Sequence, residues 1–532
     1  MALDKSDMAW GLVSTALVFF MVPGLALFYG GIARRKNLLG TMMQSMISLG
    51  IIGVVWVIVG YSLAFGESNY GLIGWSQQLL ALAGVNPDTP FANTTIPVYL
   101  HCMYQGMFAI ITPALISGAM AERIRFLPYC VFITLWLLFV YCPLAHWVWA
   151  IDSSGSPVGI LGAMGALDFA GGTVVHIAAG VSGLAAVLVL RKRLGYPEQA
   201  MHPGSVALTL LGAGILWFGW FGFNGGSGLS LGTGIAATAV TVTQIAAATA
   251  GLVWLCIEAW HRGKPTALGF ATGAVAGLVG ITPAAAFVKP WASIVLGATV
   301  AAVCYLMVWL KPRFKYDDSL DAFGVHGVGG LIGALLTGVF ASASHFSAAI
   351  GDPGATLGVL GPTGSERWAQ ILVQAKACAV AIVYSFAVTA VLVKGIDWIV
   401  GFHLKPEDEH EGLDFAVHGE VAFDLGLASE QAVQAEPPAP RPATQPPGTS
   451  RRFAVVVEGA PAEKIMQVWS DLCRATDQIP NPDFRNVYPY MTTVCGNRFR
   501  FRGGDPGLVS NSLSRLLESK LSGEKIVARL DA

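Results

Sequence analysis

Long apolar stretches separated by short polar segments fill most of the chain up to residue 400. A helix needs about 20 apolar residues to cross the hydrocarbon core of a bilayer, and these stretches reach that length. We therefore predict eleven transmembrane helices, at residues 8–31, 39–64, 99–120, 127–147, 169–190, 205–225, 233–258, 266–286, 291–310, 322–343 and 369–400. The first stretch is too long and too interrupted by Gly and Pro to be a cleaved signal peptide.

A different pattern follows the last apolar stretch. The predicted parts of the chain are a membrane domain, an acidic polar tail, an extended linker with six prolines and a soluble domain, at residues 1–403, 404–424, 425–450 and 451–532. The soluble domain is predicted to contain a strand at 452–459, a helix at 462–475, two strands within 487–503, a helix at 508–521 and a strand at 525–530. This order is typical of a ferredoxin-like α+β fold. The fold class is thus an all-α polytopic membrane protein with a small α+β domain.

Composition agrees with a membrane protein. Apolar residues make up 54% of the chain and charged residues 12%, whereas a soluble domain has about 25% charged residues. The net charge of −1 argues against a nucleic-acid partner. The eight cysteines have no metal-binding spacing, which fits small buried apolar residues better than disulfides or a zinc site. We expect no cofactor. These features exclude a soluble enzyme.

The basic residues predict the orientation in the membrane. Thirteen Lys and Arg residues lie in the loops on one side of the predicted helices, and three lie in the loops on the other side. Cytoplasmic loops carry the excess of Lys and Arg. The N-terminus is therefore predicted outside, and an odd number of spans places the C-terminus in the cytoplasm.

Two histidines lie inside apolar, Gly-rich stretches, where ionisable side chains are rare and usually functional. His176 and His326 both begin the pattern His-x-x-x-Gly-x-x-Gly; Asp168 lies eight residues before the first histidine and Asp321 five before the second. The histidines fall in the fifth and tenth predicted helices, which indicates a five-plus-five inverted repeat with a site between its halves. Two facing neutral imidazoles can relay a proton for a small polar solute. The alternative is that each histidine only hydrogen-bonds to a neighbouring helix.

Aromatic side chains form a second group of candidate residues. Phe108 lies in YQGMF, Trp149 ends HWVW, and Phe223 lies in WFGWFGFN, shortly before Ser227. An aromatic face attracts a cation by about 0.5–2 kcal/mol, so a cage of such rings at a pore mouth could select a small cation. The alternative is ordinary packing or an interfacial aromatic belt.

Together these segments resemble the ammonium transporter family, which comprises the Amt and Mep proteins and the related Rh proteins. The resemblance covers residues 8–424 and is closer to the Amt/Mep branch. The matching segments are GLALFYGG (24–31), YQGMFAIITPALISGAMAERIRF (104–126), ALDFAGGTVVHI (166–177), WFGWFGFNGGSG (217–228), GLVGITPA (277–284), DAFGVHGVGG (321–330) and HEGLDFAVHGE (410–420).

The resemblance implies roles for the aromatic residues. Trp149, Phe108 and Ser227 match the outer site where the family recruits ammonium, and Phe108 and Phe223 match the paired phenylalanines that gate the pore. Asp168 matches an acid beside the recruitment site that acts by fixing local structure rather than by direct contact. An N-cap of the fifth helix is compatible with that role.

The resemblance also implies the pore and the assembly. His176 and His326 match the twin histidines of an apolar lumen through which ammonia passes, with or without its proton. Family members are homotrimers in the cell membrane, surrounded by lipid, and each subunit has its own pore. The tail segment 405–420 matches the family's regulatory tail, near which a PII-type signal protein can dock; a merely solvated acidic tail is the alternative.

Two segments depart from the family pattern. Residues 150–167 form a longer connection without a glycine run after Trp149, so the position of Trp149 is less constrained than that of the histidines. Residues 451–532 have no counterpart in the family, and the Arg-Phe alternation at 498–502 predicts a strand with two buried rings and an arginine face that could bind an anion or be merely solvated. This domain leaves an ammonium sensor with little flux as the alternative to a transporter. A membrane enzyme has no supporting motif.

Overall fold

A computed structural model describes residues 2–352, 355–361, 364, 366–423, 452–474, 487, 491–495, 497–502, 506–521 and 526–531. In this part of the chain, eleven helices are long and apolar enough to cross a membrane, which confirms the predicted number. Numbered as spans 1 to 11, they are Lys5–Ile32, Arg35–Phe65, Val98–Met120, Phe126–Trp149, Gly172–Val189, Val206–Gly228, Ile235–Arg262, Ala267–Ala284, Pro290–Phe314, Phe323–Phe340 and Arg367–Val400. Every observed end lies within four residues of the predicted one.

A short β-hairpin lies near Trp149, at the C-terminal end of span 4. A hairpin of β1 (Glu67–Asn69) and β2 (Ile73–Trp75) follows span 2, and the indole of Trp147 donates a 2.7 Å hydrogen bond to the carbonyl of Leu72 beside it. Two further helices on the connections between spans are Ile160–Ala163 and Ala343–Ile350.

Buried ion pairs join the loops on the opposite, basic side. The Asp317 carboxylate pairs with Arg123 at 2.6 Å and with Arg193 at 2.8 Å, and Arg193 also pairs with Glu122 at 3.1 Å. Burial by itself raises the pKa of the Glu122 carboxyl, but the guanidiniums of Arg193 and Arg34 outweigh burial and hold this pKa below its ordinary value. The pKa of Asp317 is lowered against burial in the same way, by Arg123 and Arg193.

The tail after span 11 packs against these loops. It forms the helices Pro406–Glu411 and Leu413–His418. Glu409 forms a 2.7 Å ion pair with Arg191, and the carboxylate of Asp414 accepts a 2.8 Å hydrogen bond from the backbone N–H of Gly40. The tail therefore lies on the basic side of the membrane unit. The Pro-rich linker predicted at 425–450 falls outside the described residues.

The described residues after 451 form a separate compact unit. Its elements are β3 (Arg452–Glu458), helix Ala462–Arg474, β4 (Met491–Cys495), β5 (Arg498–Arg502), helix Pro506–Glu518 and β6 (Val527–Asp531). The sheet order is β4-β5-β3-β6 with antiparallel neighbours, the order of a ferredoxin-like fold, so the predicted α+β domain is confirmed. Phe499 and Phe501 are buried in its core with Trp469, whereas Arg498 and Arg500 are exposed.

Candidate functional site

An outer cavity lies at the end of span 4, on the side away from the basic loops. Phe108, Trp149 and Ser227 line it, and the centre of a water-sized sphere can move through about 160 Å³ there. The rings of Phe108 and Trp149 meet edge to face with centroids 6.1 Å apart. The Trp149 indole donates a 2.8 Å hydrogen bond to the carbonyl of Asp168, and the Ser227 hydroxyl donates a 2.9 Å bond to the carbonyl of Phe223. The longer connection 150–167 therefore leaves Trp149 at the cavity.

Further residues that were not predicted from the sequence line this cavity. His101 and Gln105 also face the cavity. The His101 ring stacks on Phe91 at 3.6 Å between centroids, and its Nδ1 lies 2.9 Å from the hydroxyl of Tyr61. A signal was present, because His101, Gln105 and Phe108 recur at positions i, i+4 and i+7 and so share one face of span 3.

Two phenylalanine rings separate the outer cavity from a middle cavity. Phe108 lines the outer cavity and Phe223 lines the middle one. Their ring centroids are 4.3 Å apart, and each side chain is 1% exposed. The two rings therefore lie against each other between the outer and the middle cavity.

The two histidines face each other in the middle cavity. Their Nδ1 atoms are 3.3 Å apart, and the rings are nearly parallel, at 19°, with centroids 5.4 Å apart. The Nε2 atom of His176 is buried without a hydrogen-bond partner among the described residues. The centre of a water-sized sphere can occupy about 10 Å³ here, roughly the minimum for one water molecule. The middle cavity thus admits one very small molecule beside the imidazoles.

Glycines allow the two histidine-bearing spans to approach this closely. A Cβ atom on Gly180 would meet the backbone nitrogen of Gly327 at 2.1 Å, and one on Gly330 would lie 2.9 Å from the Cβ of His176. Both histidines also lie in short stretches of π-helix, Gly172–Ile177 and Phe323–Gly327. Such wide turns are frequent at functional sites. The first Gly of the shared sequence pattern is therefore explained in both spans by contact between spans 5 and 10, whereas the second, Gly183 or Gly333, approaches Ala119 of span 3 or the carbonyl of Gly280 in span 8.

Asp168 caps the helix that carries His176. Its carboxylate accepts hydrogen bonds from the backbone N–H groups of Gly171, Gly172 and Thr173 at 2.8, 2.6 and 2.7 Å, and also from the hydroxyl of Thr173. Gly171 occupies the N-cap position itself, and Asp168 caps the helix start from three residues further back. It satisfies backbone donors that a helix start otherwise leaves unpaired.

The corresponding acid before His326 is Asp318 and not Asp321, the acid singled out from the sequence. Asp318 accepts hydrogen bonds from the N–H groups of Ala322 and Phe323 at 3.0 and 2.8 Å. Asp321 instead pairs with Lys311 at 2.5 Å. The missed signal was spacing, because Asp318 lies eight residues before His326, as Asp168 lies eight before His176.

An inner cavity continues the row towards the basic side. His326 lines both the middle and the inner cavity, and the inner one also includes Tyr29 and Asp321. The centre of a water-sized sphere can move through about 40 Å³ there. Eleven membrane-crossing helices around a narrow row of cavities in the described residues define a multi-pass membrane transport protein.

Comparison with known proteins gives the family. The model of the Ammonium Transporter Family matches residues 9–423. An ammonium transporter of Aquifex aeolicus is 46% identical over 430 residues, which are 80% of this chain and 94% of the relative. The crystal structure of Saccharomyces cerevisiae Mep2 superposes with a TM-score of 0.69 at 36% identity and covers 76% of this chain and 88% of Mep2. The chain therefore belongs to the ammonium transporter family, a family of transporters rather than enzymes.

A sensor Amt protein of solved structure is also similar. It superposes with a TM-score of 0.69 at 29% identity, over 77% of this chain and 98% of its own. The family match ends at residue 423, so the ferredoxin-like domain lies beyond it.

Proposed function

We propose that this protein transports ammonium across the cell membrane through the row of three cavities. The observation that carries the proposal is the pair of buried imidazoles, His176 and His326, in the smallest cavity of the row. The two packed rings of Phe108 and Phe223 lie between this cavity and the outer one. The curated relatives named ammonium transporters support ammonium or ammonia as the substrate.

Recruitment takes place in the outer cavity. The faces of Phe108 and Trp149 attract the ammonium ion, and the Ser227 hydroxyl oxygen accepts one of its hydrogen bonds. Each aromatic contact contributes about 0.5–2 kcal/mol, which favours a cation over water. Asp168 acts by holding its helix start and the Trp149 indole in place rather than as a direct ligand.

Deprotonation precedes passage through the middle cavity. Moving an intact ion into a dry, apolar site costs several kcal/mol even after relaxation, whereas neutral ammonia avoids that cost. Phe223 and Phe108 move aside to admit it, and His176 and His326 line its path. Because one Nδ1 must donate and the other must accept, the pair can pass a proton by exchanging tautomers. The proton either follows ammonia along this route or returns outside.

Orientation and assembly follow from the same reasoning. The basic loops and the tail share one side, and we place that side in the cytoplasm with the N-terminus outside. Residues 1–403 form the membrane domain, 404–424 a regulatory tail, 425–450 a linker and 451–532 a regulatory domain. We further propose that the protein is a homotrimer in membrane lipid and that a PII-type protein docks on its cytoplasmic face. Spans 1–5 and 6–10 are proposed to form an inverted repeat.

The second candidate function is an ammonium sensor. Two observations favour it: the similarity to a sensor Amt protein and the separate ferredoxin-like unit after the membrane unit. In that case ammonium binds in the outer cavity, and residues 451–532 transmit the signal with little flux.

The test is ammonium-evoked current from purified protein in liposomes on a solid-supported membrane. We expect a saturable current in the wild type and its loss, or the loss of ion selectivity, in His176→Ala/His326→Ala. A Cys256→Ala variant is the control, because Cys256 is exposed on span 7 away from the path. A parallel assay of internal pH reports uncharged ammonia. Entry without current would indicate a neutral channel, whereas ammonium binding with neither signal would overturn transport in favour of the sensor.

A further inference from the structure

Two buried glutamines of span 11 hold the chain segment that precedes Asp168. Gln370 and Gln374 lie one helical turn apart and are 0% and 1% exposed. The Oε1 atom of Gln374 accepts a 2.7 Å hydrogen bond from the N–H of Leu167, and its Nε2 donates a 2.8 Å bond to the carbonyl of Leu167. Gln374 thus binds both backbone groups of the residue next to Asp168.

The hydrogen-bonding capacity of the Gln374 amide is fully used. Its Nε2 also donates to the carbonyl of Ala334 in span 10 at 3.1 Å, and its Oε1 also accepts from Gln370 at 3.3 Å. Two donors and two acceptor positions are all that a glutamine amide offers. The N–H of Leu167 fixes the orientation of the amide, because a flipped amide would direct an NH₂ group at that N–H.

Gln370 fixes the longer connection from the other side. Its Nε2 donates a 3.0 Å bond to the carbonyl of Gly165, and its Oε1 accepts a 2.9 Å bond from the N–H of Val359. The segment is therefore hydrogen-bonded to span 11 at two residues, Gly165 and Leu167. This attachment explains how a longer connection still places the Asp168 carbonyl where it receives the indole of Trp149, which lines the outer cavity.

We propose that Gln374 is a positioning residue for the outer recruitment site. By holding Leu167, it fixes the Asp168 carbonyl that receives the Trp149 indole and the Asp168 carboxylate that caps the helix of His176. Gln374 is absent from the lining of the three cavities of the path, so it acts through these groups and not on the ion. The inference rests on the proposed function, because it assigns the outer cavity to ammonium.

The test compares Gln374→Met with Gln374→Glu in the liposome current assay. Met removes all four hydrogen bonds at nearly equal volume, and we expect the ammonium concentration for half-maximal current to rise about tenfold, with the maximal current within about twofold of the wild type. A buried Glu that is protonated still accepts through one oxygen and donates through the other. Gln374→Glu should therefore restore half-saturation to within about twofold of the wild type.

Thr389→Val is the matched control. Thr389 is also fully buried on span 11 and bonds to Ser182 at 2.8 Å and to the Trp136 indole at 3.1 Å, but it has no contact with the segment before Asp168. We expect Thr389→Val to lower the unfolding temperature without changing half-saturation. The proposal would be overturned if Gln374→Met and the wild type reached half-maximal current at the same ammonium concentration. It would also be overturned if Gln374→Met lowered only stability and maximal current.

A second readout separates this inference from transport itself. Ammonium that binds only the folded state raises the unfolding temperature of detergent-solubilised protein, and the ammonium concentration at which this rise begins reports its affinity. If the wild type carries no current, the proposed transport fails, but the thermal titration still compares Gln374→Met with the wild type. An unchanged titration midpoint in that case would refute the positioning role.

Discussion

Replacing Asp168 distinguishes a carboxylate that holds the helix start from one that contacts the ion. The carboxylate is 7% exposed and accepts three backbone N–H bonds of 2.6 to 2.8 Å. A buried N–H left without an acceptor costs about 1–3 kcal/mol, so Asp168→Ala loses about 3–9 kcal/mol. Total stabilities are about 5–15 kcal/mol. We therefore expect a strong fall in the unfolding temperature and a low yield of folded protein.

Asp168→Asn gives a graded intermediate. If the amide oxygen takes the place of Oδ1, the N–H groups of Gly171 and Gly172 keep their acceptor, whereas the N–H of Thr173 loses its 2.7 Å bond and the N–H of Val174 its weaker 3.3 Å bond. The expected loss is about 1–3 kcal/mol, with current retained in part. Asp318→Asn is the matched control, because Asp318 caps the other histidine-bearing helix, whereas Asp168 also receives the Trp149 indole through its carbonyl.

The assay is unfolding in detergent followed by intrinsic fluorescence, with ammonium-evoked current measured on the same preparations. If the carboxylate acts by capping, stability and current fall together in the order wild type, Asp168→Asn, Asp168→Ala. Two variants that unfold like the wild type but carry no current would refute this reasoning. That result would make the carboxylate a direct ligand of the ion.

Three further predictions address other parts of the molecule. Trp149→Leu should raise the ammonium concentration for half-maximal current about 2- to 30-fold, the equivalent of one cation–π contact of about 0.5–2 kcal/mol; an unchanged value would remove Trp149 from recruitment. The pKa of Glu122 is depressed in the folded state, so its stabilising contribution is complete above the ordinary Glu pKa of about 4.3 and is lost as the pH falls through the lower folded value. Glu122→Gln should be less stable than the wild type at pH 7, because Arg193 loses one of its two buried partners; the loss should stay below the about 3–5 kcal/mol of a wholly unpaired buried charge, since Asp317 remains. The variant should also be less sensitive to acid as the pH falls below the ordinary Glu pKa; parallel pH curves would contradict this. Phe499→Ala should cost the C-terminal domain about 3–5 kcal/mol and speed its proteolysis, whereas the exposed Arg500→Ala should not; equal digestion rates would show that the Phe499 ring does not support the domain core.

Features encoded locally could be predicted from the sequence. Span boundaries follow from continuous apolar length, and the β-α-β-β-α-β domain follows from short segments whose periodicity changes between 2 and 3.6 residues. The burial of Phe499 and Phe501 and the exposure of Arg498 and Arg500 agree with that alternation. These predictions need no knowledge of which distant residues meet.

Features that depend on contacts between distant residues could not be predicted from the sequence. Nothing in the sequence of span 11 indicates that Gln374 reaches the backbone of Leu167, because 207 positions separate the two residues. Asp318 was missed for a different reason. Proximity to His326 favoured Asp321, whereas equal spacing from the two histidines identifies the acid that caps the second helix start.

The geometry divides the proposed work of selection between two places on the path. The outer cavity offers aromatic faces and a hydroxyl, which favour a small cation, but its 160 Å³ of space excludes few molecules by size. The middle cavity has room for about one water-sized molecule and two imidazoles, which excludes larger solutes and disfavours any ion that cannot give up a proton. A potassium ion therefore passes the first selection in part and fails the second. It follows that substitutions of Trp149 should change apparent affinity with selectivity intact, whereas substitutions of the histidines should change selectivity with affinity intact. Potassium competition in the two sets of variants measures both quantities, and a Trp149 variant that conducted potassium would contradict the division.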